Sequence, residues 1–393
     1  MILSVALIIL SGLLFGTVCK KIRFPALFGM IIAGMIIGPY CLDLIDDTVL
    51  NVSAEIRRIA LIIILIRAGL KLDLSDLKKV GRPAVLMCFL PACFEIAGMV
   101  ILAPLILGMS RIDAAVLGAV IGAVSPAVVV PRMIKLIDEG YGVKEGIPQM
   151  ILAGASVDDV FVIVMFTSFT ALAQGKEVSV MSFVNIPVSI VTGILAGFVL
   201  GFVLFKWFLN IKMSLIIMTV ILLSVSFILS AFETGFPAIP FASLIAIMCM
   251  GISVKRADPS MASNLSRQYD RLWTVAEIFL FVLVGASVAI DHAKEAGLRA
   301  IVLVLLVLVF RMTGVFFCTL GTGIELKERF FSMIAYTPKA TVQAAIGGIP
   351  LAMGLSCGET VLTVSVVAIL LTAPLGAFGI DLTYRRFLKK KQE

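Results

Sequence analysis

The chain has 393 residues, of which 61% are hydrophobic and 15% are charged, and its formal net charge is +7. Soluble domains are about half apolar and about a quarter charged, so this composition excludes a soluble globular protein and predicts a membrane protein. The lysines and arginines lie in short clusters between apolar runs, which is typical of topology signals and argues against a nucleic acid-binding surface. We therefore expect membrane lipid around most of the chain and no nucleic acid partner.

Apolar windows follow one another along the chain with short connections between them. A transmembrane helix needs about 20 predominantly apolar residues. We predict an all-α membrane protein with about 13 transmembrane helices, in which residues 1–393 form a single transmembrane unit without a soluble regulatory domain. The windows cover residues 2–18, 24–40, 56–72, 83–107, 113–134, 146–173, 183–208, 213–232, 237–254, 272–290, 298–320, 329–354 and 360–380.

The charged connections predict how the chain crosses the membrane. Lysine and arginine accumulate in alternate connections, and cytoplasmic loops carry the excess of these residues. The C-terminal segment falls on the same side as this excess. The pattern places the N-terminus outside and the C-terminus in the cytoplasm, and the short loops without a targeting segment favour a bacterial inner membrane. The C-terminal cations are Arg385, Arg386, Lys389, Lys390 and Lys391.

Thirteen spans divide into six, one and six, which predicts two inverted repeats of six joined by a linker helix. The fifth span of each half is rich in proline and glycine: residues 118–131 read GAVIGAVSPAVVVP, and residues 335–350 read AYTPKATVQAAIGGIP. Proline removes a backbone donor, and such freed groups are tolerated in hydrocarbon only where protein or water satisfies them. We predict helix breaks at Pro126, Pro131 and Pro338, with two ordinary proline kinks as the alternative.

Asp158 and Asp159 are adjacent acids near the middle of a predicted span. A charge at that depth costs about 2.5–3.5 kcal/mol on insertion scales, so it must pair, meet water or take part in chemistry. Two partly desolvated carboxylates cannot both ionise easily, and a hard cation such as Na⁺ or Li⁺ prefers oxygen ligands. The pair therefore predicts a site that holds either protons or a metal cation. An acidic pair that is salt-bridged for packing is the alternative.

Further charges lie within predicted spans, among them Glu95, Arg311 and Lys339. Arginine does not lose its proton in proteins, so Arg311 is a fixed charge, and we predict that it pairs with Glu95. The alternative is that Glu95 merely lies near a span end. Lys339 follows Pro338, and we predict that it neutralises the carbonyl end of a half-helix, with a lysine that snorkels to the surface as the alternative.

Three hydroxyl side chains lie close to these charges in the sequence: Ser125, Ser156 and Thr341. We predict that they support ion binding by contributing oxygen ligands beside Asp158 and Asp159. Serine and threonine commonly bond back to a carbonyl of their own helix, which is the alternative for each.

Four motifs in a fixed order carry a resemblance to a known family: GAVSPAVVVP, GASVDDV, FR and TPKATVQAAIG. Over residues 1–380, the chain resembles the NHA subfamily of monovalent cation:proton antiporters. The resemblance implies a homodimer with a NhaA-like fold, in which two broken helices cross. It also implies elevator-type alternating access, in which a core domain carries the ion past a dimerisation domain. The core would comprise residues 56–173 and 298–380, and the dimerisation and linker parts residues 1–40 and 183–290.

The same resemblance implies roles for individual residues. By position, Asp158 and Asp159 match the ion-binding pair of the family. Arg311 stands where many electrogenic members have a lysine, and members of this subfamily pair the arginine with an acid in an earlier helix, as Glu95 is expected to do. Many relatives also have an acid within the first broken helix, which the run SPAVVVP lacks. These departures leave the ion stoichiometry open.

The predicted function is secondary active antiport of Na⁺ or Li⁺ against H⁺, without any cofactor beyond the transported ions. A K⁺/H⁺ antiporter and a sodium-coupled symporter of an organic anion with a similar fold are the alternatives among carriers. A channel is a further class, since broken helices and buried charges also suit pores. An intramembrane protease is disfavoured, because the single histidine, His292, lies in a predicted loop and the two acids share one helix.

Overall fold

A computed structural model describes residues 1–22, 24–71, 81–175, 180–211, 213–236, 239–288 and 290–390. Within these ranges the regular secondary structure is helical, apart from an isolated antiparallel bridge between Tyr141 and Lys390. The predicted all-α class is confirmed. The helices are α1 (Ile2–Lys21), α2 (Ala26–Ile37), α3 (Asp47–Asn51), α4 (Ser53–Lys71), α5 (Arg82–Met87), α6 (Leu90–Leu107), α7 (Arg111–Ile121), α8 (Pro126–Glu139), α9 (Ile147–Ala173), α10 (Val180–Ile211), α11 (Leu215–Gly235), α12 (Ser243–Ala257), α13 (Pro259–Ala286), α14 (Ile290–Cys318), α15 (Leu326–Ala335), α16 (Thr341–Ile346), α17 (Ile349–Ala352) and α18 (Gly358–Phe387).

Two compact units make up the chain, and every residue predicted for the ion site lies in the first of them. The first unit comprises Met1–Ala54, Ser75–Gln174 and Ile278–Glu393. The second unit comprises Glu55–Leu74 and Gly175–Glu277. The division of the chain into core and dimerisation parts stays a prediction about function.

In the part of the chain that the structure describes, eight helical stretches are long and apolar enough to cross a membrane. This finding supports a multi-pass membrane protein, although thirteen such spans were predicted. The other five predicted windows fall on helices that are shorter, interrupted or more polar: α2, α4, α12, α13 and the run from α15 to α17. The eight stretches are Ile2–Lys21, Arg82–Leu107, Arg111–Glu139, Ile147–Ala173, Val188–Ile211, Leu215–Gly235, Gly297–Cys318 and Gly358–Phe387.

Small residues allow close packing of helices within the first unit. A Cβ atom added at Gly34 of α2 would collide with the carbonyl of Val282 in α13, and one added at Gly285 would collide with the carbonyl of Ile31 in α2. Helices in lipid associate through such close backbone approaches, because burial of apolar surface drives association less there than in water. Glycine at these two positions therefore sets the spacing of α2 from the last turns of α13.

The two broken helices are interrupted at similar places. In the first, α7 ends at Ile121 and α8 begins at Pro126, which occupies the first helical position, where a missing N–H breaks no helical bond. In the second, α15 ends at Ala335 and α16 begins at Thr341, with Pro338 between them. Pro126 and Pro338 thus lie at the breaks, where they were predicted.

Pro131 lies inside α8, which continues through it, so the predicted helix break at this residue is wrong. A proline in a helix interior removes one backbone donor and is often accommodated by a kink. The guanidinium of Arg132 donates from Nη1 to the carbonyl oxygen of Val128 at 2.9 Å, whereas the carbonyl that loses its helical partner at Pro131 is that of Ala127. Proline alone does not decide between a break and a continuous helix.

Candidate functional site

The two helix breaks contact each other directly. The backbone N–H of Ser125 in the first break donates to the carbonyl oxygen of Pro338 in the second, at 2.7 Å. Backbone groups outside helices need partners from protein or water at membrane depth. This bond satisfies one donor and one acceptor at once, and it joins the two breaks into one irregular region within the first unit.

Asp158 and Asp159 lie on α9, and both are buried. Asp158 faces the first break, because its Oδ2 accepts from the backbone N–H of Val124 at 2.9 Å. The same oxygen also accepts from Nη2 of Arg311 at 2.8 Å. Oδ1 of each aspartate has no hydrogen-bond partner among the described residues. Asp158 is therefore anchored through one oxygen, and each acid keeps one oxygen available.

Arg311 of α14 is fully buried and connects the elements of the site. Its Nη1 lies 2.6 Å from Oε2 of Glu95 on α6, so the predicted partners are in contact, and its Nη2 also holds Asp158. The guanidinium further donates to the carbonyl of Gly122, the residue that follows α7, and through Nε to the carbonyl oxygen of Tyr336, the residue that follows α15, at 2.7 Å. Carbonyls at a helix C-terminus carry partial negative charge. Arg311 therefore stabilises both half-helix ends as well as two carboxylates.

Lys339 lies in the second break and is fully buried. Its Nζ lies 2.6 Å from Oε2 of Glu95, the same oxygen that Arg311 contacts. Its backbone N–H donates to Oγ1 of Thr372 at 2.9 Å. The contacts of Lys339 thus differ from the predicted role at a half-helix carbonyl end, and that role falls to Arg311. The physical reason is that the Glu95 carboxylate carries a full negative charge, whereas the carbonyls at a half-helix end carry only a partial one.

Gln343 of α16 belongs to the site but was not identified from the sequence. Its Nε2 donates to the carbonyl oxygens of Ala123 at 2.9 Å and Ile121 at 3.2 Å, in and beside the first break. Its Oε1 accepts from the backbone N–H of Ala340 in the second break at 2.8 Å. One amide therefore bridges both breaks. One indication of such a residue was present in the sequence. The first break contains no charged side chain, so its carbonyls need hydrogen-bond donors from another element.

The predicted hydroxyl ligands differ in what the structure says of them. Ser125 and Thr341 are buried, and the hydroxyl oxygens of both lack a hydrogen-bond partner among the described residues. Neither hydroxyl bonds back to its own helix, which was the alternative for each. The side chain of Ser156 lies outside the part that the structure describes.

The charges of this cluster do not balance. Glu95, Asp158 and Asp159 are three acids, and Arg311 and Lys339 are two bases. With every group ionised, the buried cluster carries one excess negative charge. A buried charge without compensation is costly, so one monovalent cation or one proton is needed to complete the cluster.

Comparison with known families places the whole chain among membrane exchangers. The sequence model of a family described as "Sodium/hydrogen exchanger, transmembrane" matches residues 5–384. The chain is 33% identical to sodium/hydrogen exchanger 9B2 of Mus musculus over 404 residues, which cover 98% of this chain and 72% of that protein. It is 34% identical to the Homo sapiens protein of the same name, over 93% of this chain and 70% of that protein.

Comparison with solved structures gives the same fold. The sodium proton antiporter MjNhaP1 from Methanocaldococcus jannaschii, solved at pH 8, superposes with a TM-score of 0.85 over 98% of this chain and 97% of that chain. The sequence identity in this superposition is 19%, so the likeness is one of fold. The eighteen-helix arrangement of the described residues thus matches the fold of an antiporter.

Proposed function

This chain belongs to the transmembrane sodium/hydrogen exchanger family, and from that premise we propose that it exchanges Na⁺ or Li⁺ for H⁺ at Asp158 and Asp159. It is a multi-pass membrane protein and a cation:proton antiporter, which makes it a transporter and not an enzyme. The ion and the two carboxylates are the proposed part of this assignment.

A group of buried oxygens without hydrogen-bond partners supports this site. Oδ1 of Asp158, Oδ1 of Asp159, Oγ of Ser125 and Oγ1 of Thr341 all lack a partner among the described residues. Most buried polar atoms in proteins are hydrogen-bonded, so this many exceptions around one pair of breaks calls for a ligand. A hard alkali cation is coordinated by oxygen atoms of these kinds, namely carboxylates and hydroxyls.

The charge of the cluster supports competition between the two ions. The excess of one negative charge is removed by a bound Na⁺ or by a proton on one carboxylate, but both together would leave an excess positive charge. Asp158 is held by Arg311 and Val124, whereas Asp159 has no such anchor among the described residues. We assign the exchangeable proton to Asp159. This proton leaves before the cation binds, and Asp158 is then the second carboxylate ligand of the cation.

The contacts around the breaks also support transport by movement of a core domain. Arg311 joins α14 to α6 and α9, and the breaks are bonded to each other. Such a bonded cluster moves as one body more readily than it comes apart, which suits the rigid-body motions of secondary transporters. We propose elevator-type alternating access by a core built from residues 56–173 and 298–380, in a homodimer joined through residues 1–40 and 183–290.

The orientation remains part of the proposal. The excess of lysine and arginine in alternate connections supports a cytoplasmic C-terminus and an N-terminus outside. A bacterial inner membrane was favoured from the short loops, while the two sequence relatives named above come from mouse and human. Protease added to right-side-out vesicles tests the orientation, because a tag at a cytoplasmic C-terminus should be protected and a tag at an outside N-terminus should be cleaved.

Proteoliposomes that contain the purified chain test the proposed function. An imposed Na⁺ gradient should drive protons uphill, which a pH-sensitive dye inside the vesicles reports, and the rate should saturate with Na⁺. We expect Asp159→Asn to abolish this exchange, because the site then cannot release a proton for the cation. We expect Asp158→Asn to slow it by at least about tenfold, as one charged ligand and the contact with Arg311 are lost.

Asp113→Asn is the matched control, because Asp113 is an acid of the same unit that lies in the first turn of α7, where Ser110 caps the helix. Full exchange by Asp159→Asn would remove the proposed site while leaving the family assignment intact. Flux that does not saturate, or that cannot move protons uphill, would indicate a channel.

A further inference from the structure

A cavity of about 300 Å³ lies in the second unit, away from the residues proposed for transport. It is bounded by the end of α4, the end of α12 and one face of α13. Ser263, Ser266, Arg267 and Asp270 of α13 contribute to its lining, at helical spacings that bring them to the same face. No residue of the exchange site belongs to this unit.

The lining of this cavity is strongly basic. Lys71 of α4, Lys255 of α12 and Arg267 of α13 all line it, whereas Asp270 is the one acid among the described lining residues. Asp270 is already engaged, because Nζ of Lys71 lies 2.8 Å from its Oδ1 and Nε of Arg67 contacts the same oxygen. Among the described lining residues, no acid is left to compensate the positive charge of Lys255 and Arg267, and the guanidinium of Arg267 donates to the neutral amide oxygen Oδ1 of Asn264.

A buried hydroxyl in the same cavity also lacks a partner. Ser266 is only 4% exposed, and its Oγ has no hydrogen-bond partner among the described residues. A serine in a helix normally bonds back to its own backbone or to solvent. Its hydroxyl is therefore a donor available to whatever occupies the cavity, and this observation is independent of the charges.

Basic residues at helix C-termini are common because they stabilise the carbonyl end, but this explains only part of the lining of the cavity. Lys71 and Lys255 lie in the last turns of α4 and α12, where cations stabilise the carbonyl end of a helix. Arg267 lies in the third turn of α13, far from any such end, and the partnerless Ser266 lies beside it. The two helix ends do not account for these two residues.

We propose that this cavity binds a phosphate-type oxyanion, supplied by the headgroup of an anionic lipid or by free phosphate. Ammonium and guanidinium groups with a nearby hydroxyl are the donors that phosphate oxygens take in proteins. With the N-terminus outside, the third and ninth predicted windows end in the cytoplasm, so Lys71 and Lys255 lie on the face at which anionic lipids attract basic residues. The ligand would link α4, α12 and α13 of the second unit, which goes beyond the proposed exchange reaction and does not depend on it.

Ligand-induced thermal stabilisation of the full chain in neutral detergent tests the proposal. The probes are phosphatidic acid, phosphatidylcholine with the same acyl chains, and inorganic phosphate, each titrated against the unfolding midpoint. The test variant is Lys255→Gln with Arg267→Gln. The control variant is Lys20→Gln with Lys21→Gln, which removes the same charge from the exposed end of α1.

We expect phosphatidic acid, but not phosphatidylcholine, to stabilise the native chain and the control variant alike. In the test variant, the half-saturating concentration of phosphatidic acid should rise about tenfold for each charge-assisted contact that is lost. Stabilisation by inorganic phosphate that is lost in the same variant would identify free phosphate as the source. Equal half-saturating concentrations in the test and control variants would overturn the proposal.

Ser266→Ala and Lys255→Arg provide a second test if the double variant does not fold. Ser266→Ala removes one hydroxyl without changing charge, and it should raise the half-saturating concentration several-fold. Lys255→Arg keeps the charge and should bind as the native chain does. Unchanged binding by Ser266→Ala in that case would overturn the proposal as well.

Discussion

At the scale of single residues, Arg311 meets four acceptors: carboxylate oxygens of Glu95 and Asp158 and the carbonyl oxygens of Gly122 and Tyr336. A guanidinium presents five N–H donors in a rigid planar fork, whereas a lysine has three donors on one atom. An arginine can therefore hold partners on several sides at once. Lysine at this position would leave at least one half-helix end without its donor.

Glu95 is the residue through which this arrangement can be tested. Glu95→Gln removes the charge that Arg311 and Lys339 share, and removal of one partner from a buried ion pair costs about 3–5 kcal/mol. We expect Glu95→Gln to lower the thermal midpoint of the purified protein strongly in the native background. The loss should be clearly smaller beside Arg311→Gln, because the contact between Arg311 and Glu95 is then already absent.

The comparison requires all four proteins of the double-mutant cycle, with the melting of each followed in the same detergent. Contacting residues typically show coupling energies of about 0.5–3 kcal/mol in such cycles. Equal losses in both backgrounds would mean that the ion pair does not contribute to stability. Glu55→Gln is a control, since Glu55 lies in the first turn of α4 and outside the cluster.

The sequence allowed the charged residues of the site to be identified, because an ionisable residue inside an apolar window is conspicuous in any membrane protein. It did not reveal which atoms they meet. Arg311 and Asp158 are 153 positions apart, and their contact depends on how α14 and α9 pack. Gln343 was overlooked for the same reason, since an uncharged amide gains its role only from carbonyls more than two hundred positions away.

At the scale of secondary structure elements, Gln343 connects the two broken helices. Gln343→Glu keeps an oxygen for the N–H of Ala340 but removes both donors to Ile121 and Ala123. We expect it to lower the free energy of unfolding by about 1–3 kcal/mol for each buried carbonyl left without a donor. It should also raise the apparent KM for Na⁺, because the first break no longer holds Val124 and its neighbours against Asp158.

Measuring the KM for Na⁺ separately from the maximal rate distinguishes an effect of Gln343 on ion binding from a loss of stability. Transport by Gln343→Glu and Gln343→Ala should show a raised KM that is restored neither by lower temperature nor by more protein in the vesicles. Gln174→Ala, at an exposed turn after α9, should resemble the native chain in both measurements. An unchanged KM in Gln343→Glu would limit the residue to stabilising the fold.

The helices themselves could be predicted because lipid imposes a local rule. Every apolar window must pair its backbone groups internally, so each becomes helical whatever its neighbours are. The exact form of each element depends on more than the window. Pro126 occupies the first position of α8, where its missing N–H breaks no helical bond, whereas Pro131 lies within the same helix. The α2 helix has only 12 residues, although its window had 17, because the chain turns after Ile37.

At the scale of the whole molecule, the excess negative charge of the buried cluster determines whether the membrane potential affects transport. Moving one elementary charge across the membrane changes the free energy by about 2.3 kcal/mol per 100 mV. A site that is neutral with either ion bound avoids this dependence. The buried cluster of three acids and two bases reaches neutrality with one Na⁺ or with one proton, provided that Lys339 keeps its charge.

We therefore expect the exchange of one Na⁺ for one H⁺, at a rate that the membrane potential does not change. Proteoliposomes loaded with K⁺ and treated with valinomycin allow the potential to be set at zero or at a large negative value, and the initial rate of the pH change should be equal in both. Lys339→Gln provides the contrast, because the cluster then carries a second negative charge and at least one loaded state moves with net charge. A potential-dependent rate in the native chain would mean that a further group, with Lys339 foremost, gains or loses a proton during the cycle.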